Sequence, residues 1–198
     1  MLRTFVLADA FTFANASSGT GAIFLCRSYI EQHRAGFMWT AFALLPVALV
    51  CDALDGAVAR WRHKHSPLGA DLDSLADVVS FGVAPAVLGY TLGLRGGWDV
   101  LVLIYFVGCG ISRLARYNVT SKSLSDERGK VRYYEGTPIP TSLALVLLMA
   151  VLFASDRVHE NLWLGALRLG PAIFHPLSII YAISGSLMVS ATIRIPKP

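Results

Sequence analysis

Charge is scarce in this chain of 198 residues: Asp, Glu, Lys and Arg supply only 15% of it, well below the roughly one quarter usual in soluble domains. With 55% apolar residues and a mean hydropathy of +0.56, there is too little charge to cover a water-facing surface, so the composition implies an integral membrane protein. The net charge of +4 and the isoelectric point near 9.1 would point to nucleic acid in a soluble chain. Here they are read as attraction to anionic lipid and as a signal of orientation, and no nucleic-acid partner is expected. Cysteine is also rare. Cys26, Cys51 and Cys109 lie in or beside apolar stretches without CxxC spacing, which excludes a thiolate metal site and leaves small packing residues. Linkers, low-complexity tracts and internal repeats are missing too, so residues 1–198 are read as one domain. Behind Arg3 the apolar stretch is broken by Asp9 and Asn15 and outruns the core of a secretory signal, so no cleaved leader is expected.

What the chain does have is apolar length. Six stretches, 6–25, 37–58, 72–94, 100–117, 139–154 and 173–195, approach or reach the roughly twenty helical residues that cross a hydrocarbon core. The fold expected is an all-α bundle of six transmembrane helices. An even number of spans puts both termini on one side, and twelve of the 17 Lys and Arg residues then fall on that side. That side is therefore expected to face the cytoplasm. The first span carries Asp9, Thr12 and Asn15 at helical spacing, polar groups that either bond a neighbouring helix or face a ligand.

Against this background the acids between residues 52 and 77 need a reason. Asp52 and Asp55 are three apart, and Asp73 and Asp77 are four apart, so on helices each pair shares a face. Two such pairs facing one another make an all-oxygen site suited to Mg²⁺ or Mn²⁺ and unsuited to Zn²⁺. Gly56 lies one turn before Arg60, leaving open backbone beneath a guanidinium, as a phosphate-bearing ligand would require. One Arg within the motif does not offset four acids, which argues against a set of structural ion pairs.

The string Asp52-x2-Asp55-Gly56-x2-Ala59-Arg60-x8-Gly69-x3-Asp73-x3-Asp77 resembles the full signature of the CDP-alcohol phosphotransferase family. The resemblance implies displacement of CMP from CDP-diacylglycerol by an alcohol, with Asp52, Asp55, Asp73 and Asp77 as metal ligands and Asp77 as general base. It also implies that Asn15, Gly56, Arg60, Ser66 and Gly69 hold CDP-diacylglycerol and that the protein is a homodimer in membrane lipid, while the Lys and Arg count puts the active site on the cytoplasmic side. A eukaryotic source would put it in the endoplasmic reticulum, a bacterial one in the cytoplasmic membrane.

Two further stretches bear on the acceptor. Arg113, Arg116 and Tyr117 end the fourth span in an Arg-x-x-Arg-Tyr-Asn string, and Glu135-Gly-Thr-Pro-Ile-Pro precedes the fifth. Both resemble the phosphatidylserine synthase branch of the family, which implies L-serine as acceptor. A guanidinium fits the carboxylate of an amino acid, so Arg113, Arg116 and Tyr117 are read as the serine site. Twin arginines fit a phosphate equally well, which keeps inositol or glycerol 3-phosphate open as acceptors. A divalent-cation transporter is the alternative from another class, since acids inside a membrane also mark ion paths.

Overall fold

A computed structural model describes residues 7–62, 67–124, 133–190 and 194–196, with side chains over 9–58, 69–119 and 136–190. Helices α1 (Leu7–Gln32) and α2 (Ala35–Arg62) form an antiparallel hairpin whose turn is closed by His33, at φ 52°. Helix α3 (Pro67–Asp77) runs through a π turn (Val78–Val83) into α4 (Ala84–Thr91), and α5 (Gly97–Leu124) follows. A 3₁₀ turn (Ile139–Ser142) opens α6 (Leu143–Ala154), and the last helix is α7 (Ser178–Val189). Among the described residues there are also two small antiparallel ladders. Strand β1 (Tyr133–Glu135) pairs with β4 (Arg194–Pro196), and β2 (Leu167–Leu169) pairs with β3 (Ala172–Phe174).

Among the described residues three helices are long and apolar enough to cross a membrane: Ala35–Val58, Gly69–Thr91 and Gly97–Val119. Ile139–Ala154 and Ser178–Val189 are shorter apolar helices. The molecule is apolar outside as well as inside, with Phe24, Leu75, Ile104, Leu147 and Val119 each more than 60% exposed. Such side chains are at home against lipid.

Each of the six expected spans falls on helix, though among the described residues only three are long and apolar enough to cross a membrane, and two ends differ. The first helix continues to Gln32, and the sixth is confined to Ser178–Val189, with strands at 172–174 and 194–196. The hairpin was hidden because its Leu, Ile and Ala residues read as the start of a span. Prolines 138 and 140 do start the fifth helix, as 3₁₀ rather than α. At Pro85, the π turn supplies a bond from the Ala84 N–H to the Val79 carbonyl, which lets the chain pass a residue that has no N–H to give.

Burial explains why the polar residues gather at one end. In α1 a single stripe, Asp9, Thr12, Asn15, Gly19, Ala22, Cys26 and Tyr29, is buried, its spacing of three and four being that of one helix face. In α2 the matching stripe runs Met38, Ala41, Leu45 and Ala48 and then reaches Asp52 and Asp55. The two helices are antiparallel, so the polar start of one stripe meets the acidic finish of the other.

Candidate active site

Four acids from two helices meet where those stripes turn polar. One carboxylate oxygen each from Asp52, Asp55 and Asp73 lies within 4.8 Å of the others. Asp55 and Asp77 are buried, at 6% and 8% exposure, and Asp52 and Asp73 are half-buried. Among the described residues no Lys or Arg pairs with any of the four. Asp73 Oδ1 is buried without a hydrogen-bond partner, an arrangement that costs about 1–3 kcal/mol unless a ligand relieves it. A converging set of hard oxygens with one left unsatisfied fits a divalent cation. Asp52, Asp55 and Asp73 would be its holders.

Asp77 sits one turn beyond Asp73, at the end of α3 where the π turn begins. It lies outside the set of three that converges and accepts a hydrogen bond from Asn15 Nδ2 at 3.1 Å. The polar stripe of α1 therefore serves the acids directly. Thr12 Oγ1 donates to Asp55 Oδ2 at 2.9 Å, and Ser80 Oγ donates to the Asn15 carbonyl at 2.9 Å. A Cβ added at Gly19 would stand 2.4 Å from Ser80 Oγ and 2.7 Å from Ser80 Cα. The missing side chain is what lets α1 lie against the π turn and bring Asn15 to Asp77.

The arginine string falls at the same end of the bundle. Asn118 Nδ2 donates to Ser74 Oγ at 2.9 Å, joining α5 to the residue after Asp73. Arg116 donates from Nη2 to the Val189 carbonyl at the end of α7, at 2.9 Å, a favourable place for a cation because the carbonyls there carry partial negative charge. The Arg113 guanidinium lies 5.9 Å from the centre of the Tyr117 ring. The Glu-Gly-Thr-Pro segment closes on the same helix end. The Thr137 N–H donates to the Leu187 carbonyl at 3.1 Å, and a Cβ on Gly136, at φ +76°, would meet the Met188 carbonyl oxygen at 2.3 Å.

Of the other expected site residues, Gly56 lies in α2 directly after Asp55, and Gly69 lies in the first turn of α3. The Arg60 side chain and the whole of Ser66 fall outside the described residues. Of the stripe on the first span, Asn15 was the residue singled out for a ligand; Thr12, read as bonding a neighbouring helix or facing a ligand, does bond one, at Asp55 of α2. Ser80 had no signal in the sequence, since its role depends on the π turn.

Comparison with known proteins agrees with this geometry. The family model for CDP-alcohol phosphatidyltransferase matches residues 5–184. A Saccharomyces cerevisiae CDP-diacylglycerol–serine O-phosphatidyltransferase is 40% identical over 201 aligned residues, which take in 100% of this chain and 73% of the yeast protein. Proteins of the same name from Mycobacterium bovis and Helicobacter pylori are 35% and 34% identical over 80% and 81% of this chain. The chain spans 52% of the mycobacterial protein's length and 65% of the Helicobacter protein's.

Proposed function

This chain belongs to the CDP-alcohol phosphatidyltransferase family, and from that premise we propose that it transfers the phosphatidyl group of CDP-diacylglycerol to the hydroxyl of L-serine and releases CMP. The observation that carries the chemistry is the convergence of Asp52, Asp55 and Asp73 within 4.8 Å, beside a fourth acid that is held separately by Asn15. The names of the yeast, mycobacterial and Helicobacter relatives support serine as the acceptor.

The reaction joins a weak nucleophile to an anionic pyrophosphate, so the site has to remove a proton and offset charge. Asp77 takes the proton from the serine hydroxyl. The serine oxygen forms a bond to the phosphorus that carries diacylglycerol, the bond from that phosphorus to the bridging oxygen breaks, and CMP leaves with the electron pair. Asn15 donates to Asp77 Oδ1 and so holds the carboxylate for that proton transfer. Mg²⁺ or Mn²⁺ on Asp52, Asp55 and Asp73 would supply positive charge for the phosphoryl oxygens and the leaving group. Gly56 and Gly69 are assigned to the nucleotide, as are Arg60 and Ser66 from the sequence motif, and Arg113, Arg116 and Tyr117 to the acceptor. The excess of Lys and Arg at the acidic end supports a site that opens to the cytoplasm, in the endoplasmic reticulum if the source is eukaryotic.

The test is CMP release from CDP-diacylglycerol by the purified protein with serine, inositol or glycerol 3-phosphate, with Mg²⁺ or Mn²⁺ and with EDTA. Release with serine alone, lost in EDTA, is expected. Release with another alcohol would keep the family's chemistry and replace the acceptor.

A further inference from the structure

Asn15 is fully buried, yet its amide is only half used. Its nitrogen donates to Asp77, while Oδ1 is among the buried polar atoms that have no hydrogen-bond partner. The orientation of the amide follows from chemistry, because a carboxylate accepts and only the nitrogen end can donate to it. The side-chain oxygen is thus an acceptor fixed beside the proposed base and waiting for a donor. Its surroundings are acidic: Asp55 and Asp77 are buried on the facing helices, and Asp73 also carries an unpartnered oxygen. A group that brings both N–H donors and positive charge suits such a place better than a neutral hydroxyl.

Resting on the serine-transfer reading above, we propose that Asn15 Oδ1 receives the α-ammonium of the acceptor amino acid, so that one amide reads the acceptor and holds the base. The fit lies in connectivity. In serine the nitrogen stands three bonds from the hydroxyl oxygen, and in Asn15 the oxygen stands two bonds from the nitrogen that grips Asp77. A hydroxyl delivered to Asp77 therefore carries its neighbouring ammonium to Asn15. This moves Asn15 from the nucleotide, where the sequence placed it, to the acceptor. It also complements Arg113 and Arg116, which are left to meet the carboxylate.

The experiment follows CMP release by the purified full chain in detergent with Mn²⁺ and CDP-diacylglycerol. Asn15→Ala is expected to raise the KM for serine about ten- to a hundredfold, the range for a hydrogen bond to a charged group. The KM for CDP-diacylglycerol and the half-saturating Mn²⁺ should stay within about twofold. With wild-type protein, 3-hydroxypropionate, which is serine without its ammonium, should compete at an inhibition constant at least about tenfold above the serine KM, and in Asn15→Ala that gap should close. An equal rise in both KM values would put Asn15 on the nucleotide, weaker Mn²⁺ dependence would make it a metal ligand, and a fall in kcat alone would leave it only positioning Asp77. Each of these overturns the proposal. Should Asn15→Ala fail to fold, the wild-type competition still decides, because 3-hydroxypropionate competing as well as serine binds would mean that no ammonium is read. Wild-type protein that releases no CMP with serine is a separate result, and overturns the serine-transfer reading itself.

Discussion

At the scale of the residue, the four acids differ in their partners. Asp52, Asp55 and Asp73 converge on one another, whereas Asp77 is turned to Asn15. If Asp77 is the base, Asp77→Asn should lower kcat by about a hundredfold or more, while CDP-diacylglycerol should raise the melting temperature of variant and wild type alike. A variant with near-normal turnover would assign the proton elsewhere. Arg116 calls for a measurement that separates binding from architecture, since its bond to the Val189 carbonyl also secures α7. As a serine ligand it predicts that Arg116→Ala raises the KM for serine about tenfold more than that for CDP-diacylglycerol. Equal effects on both would place the guanidinium at the phosphates.

At the scale of the element, the close approach of α1 to the π turn decides the site. Gly19→Ala would press a methyl group into Ser80, at a cost of about 1–3 kcal/mol. It should lower the melting temperature in detergent and cut activity with both substrates at saturation, because Asn15 moves with its helix. The contact of Gly19 with Ser80 could not be read from the sequence, because it depends on a π turn which no local pattern announces. The acids and their pairing were legible because helical spacing alone brings each pair to one face. The start of α7 was not, since apolar residues serve a short hairpin and a membrane span equally well.

A second joint lies in the loop after α6. The His159 backbone N–H donates to the Leu92 carbonyl at 2.7 Å, and its ring lies 3.0 Å from the Tyr29 hydroxyl, stacked on that ring. Burial first, then the charges of Arg95 and His33, hold the imidazole below its ordinary value of 6.5, with Asp156 opposing. The folded protein thus binds fewer protons here than the unfolded chain. Its stability is whole above the ordinary imidazole range and is lost as pH falls through 6.5 toward the lowered folded value. Melting temperatures measured from pH 8 down to pH 5 should fall, and His159→Phe should flatten that part of the curve. A wild-type curve that is level across this window would contradict the assignment.

At the scale of the whole molecule, two antiparallel helices, one polar at its start and the other acidic at its finish, bring charge together at one end of an otherwise apolar body. Helix α5 joins that end through Asn118 and Ser74, and α7 is tied to α5 through Arg116 and the Val189 carbonyl. The central claim is that this end lets the serine hydroxyl displace CMP directly. The measurement that tests it is the mass of the phospholipid formed from CDP-diacylglycerol and serine labelled with ¹⁸O in its hydroxyl, in the presence of Mg²⁺ or Mn²⁺. The account predicts phosphatidylserine that keeps the label in the oxygen joining serine to phosphorus. A product without the label, or no phosphatidylserine at all, would contradict it.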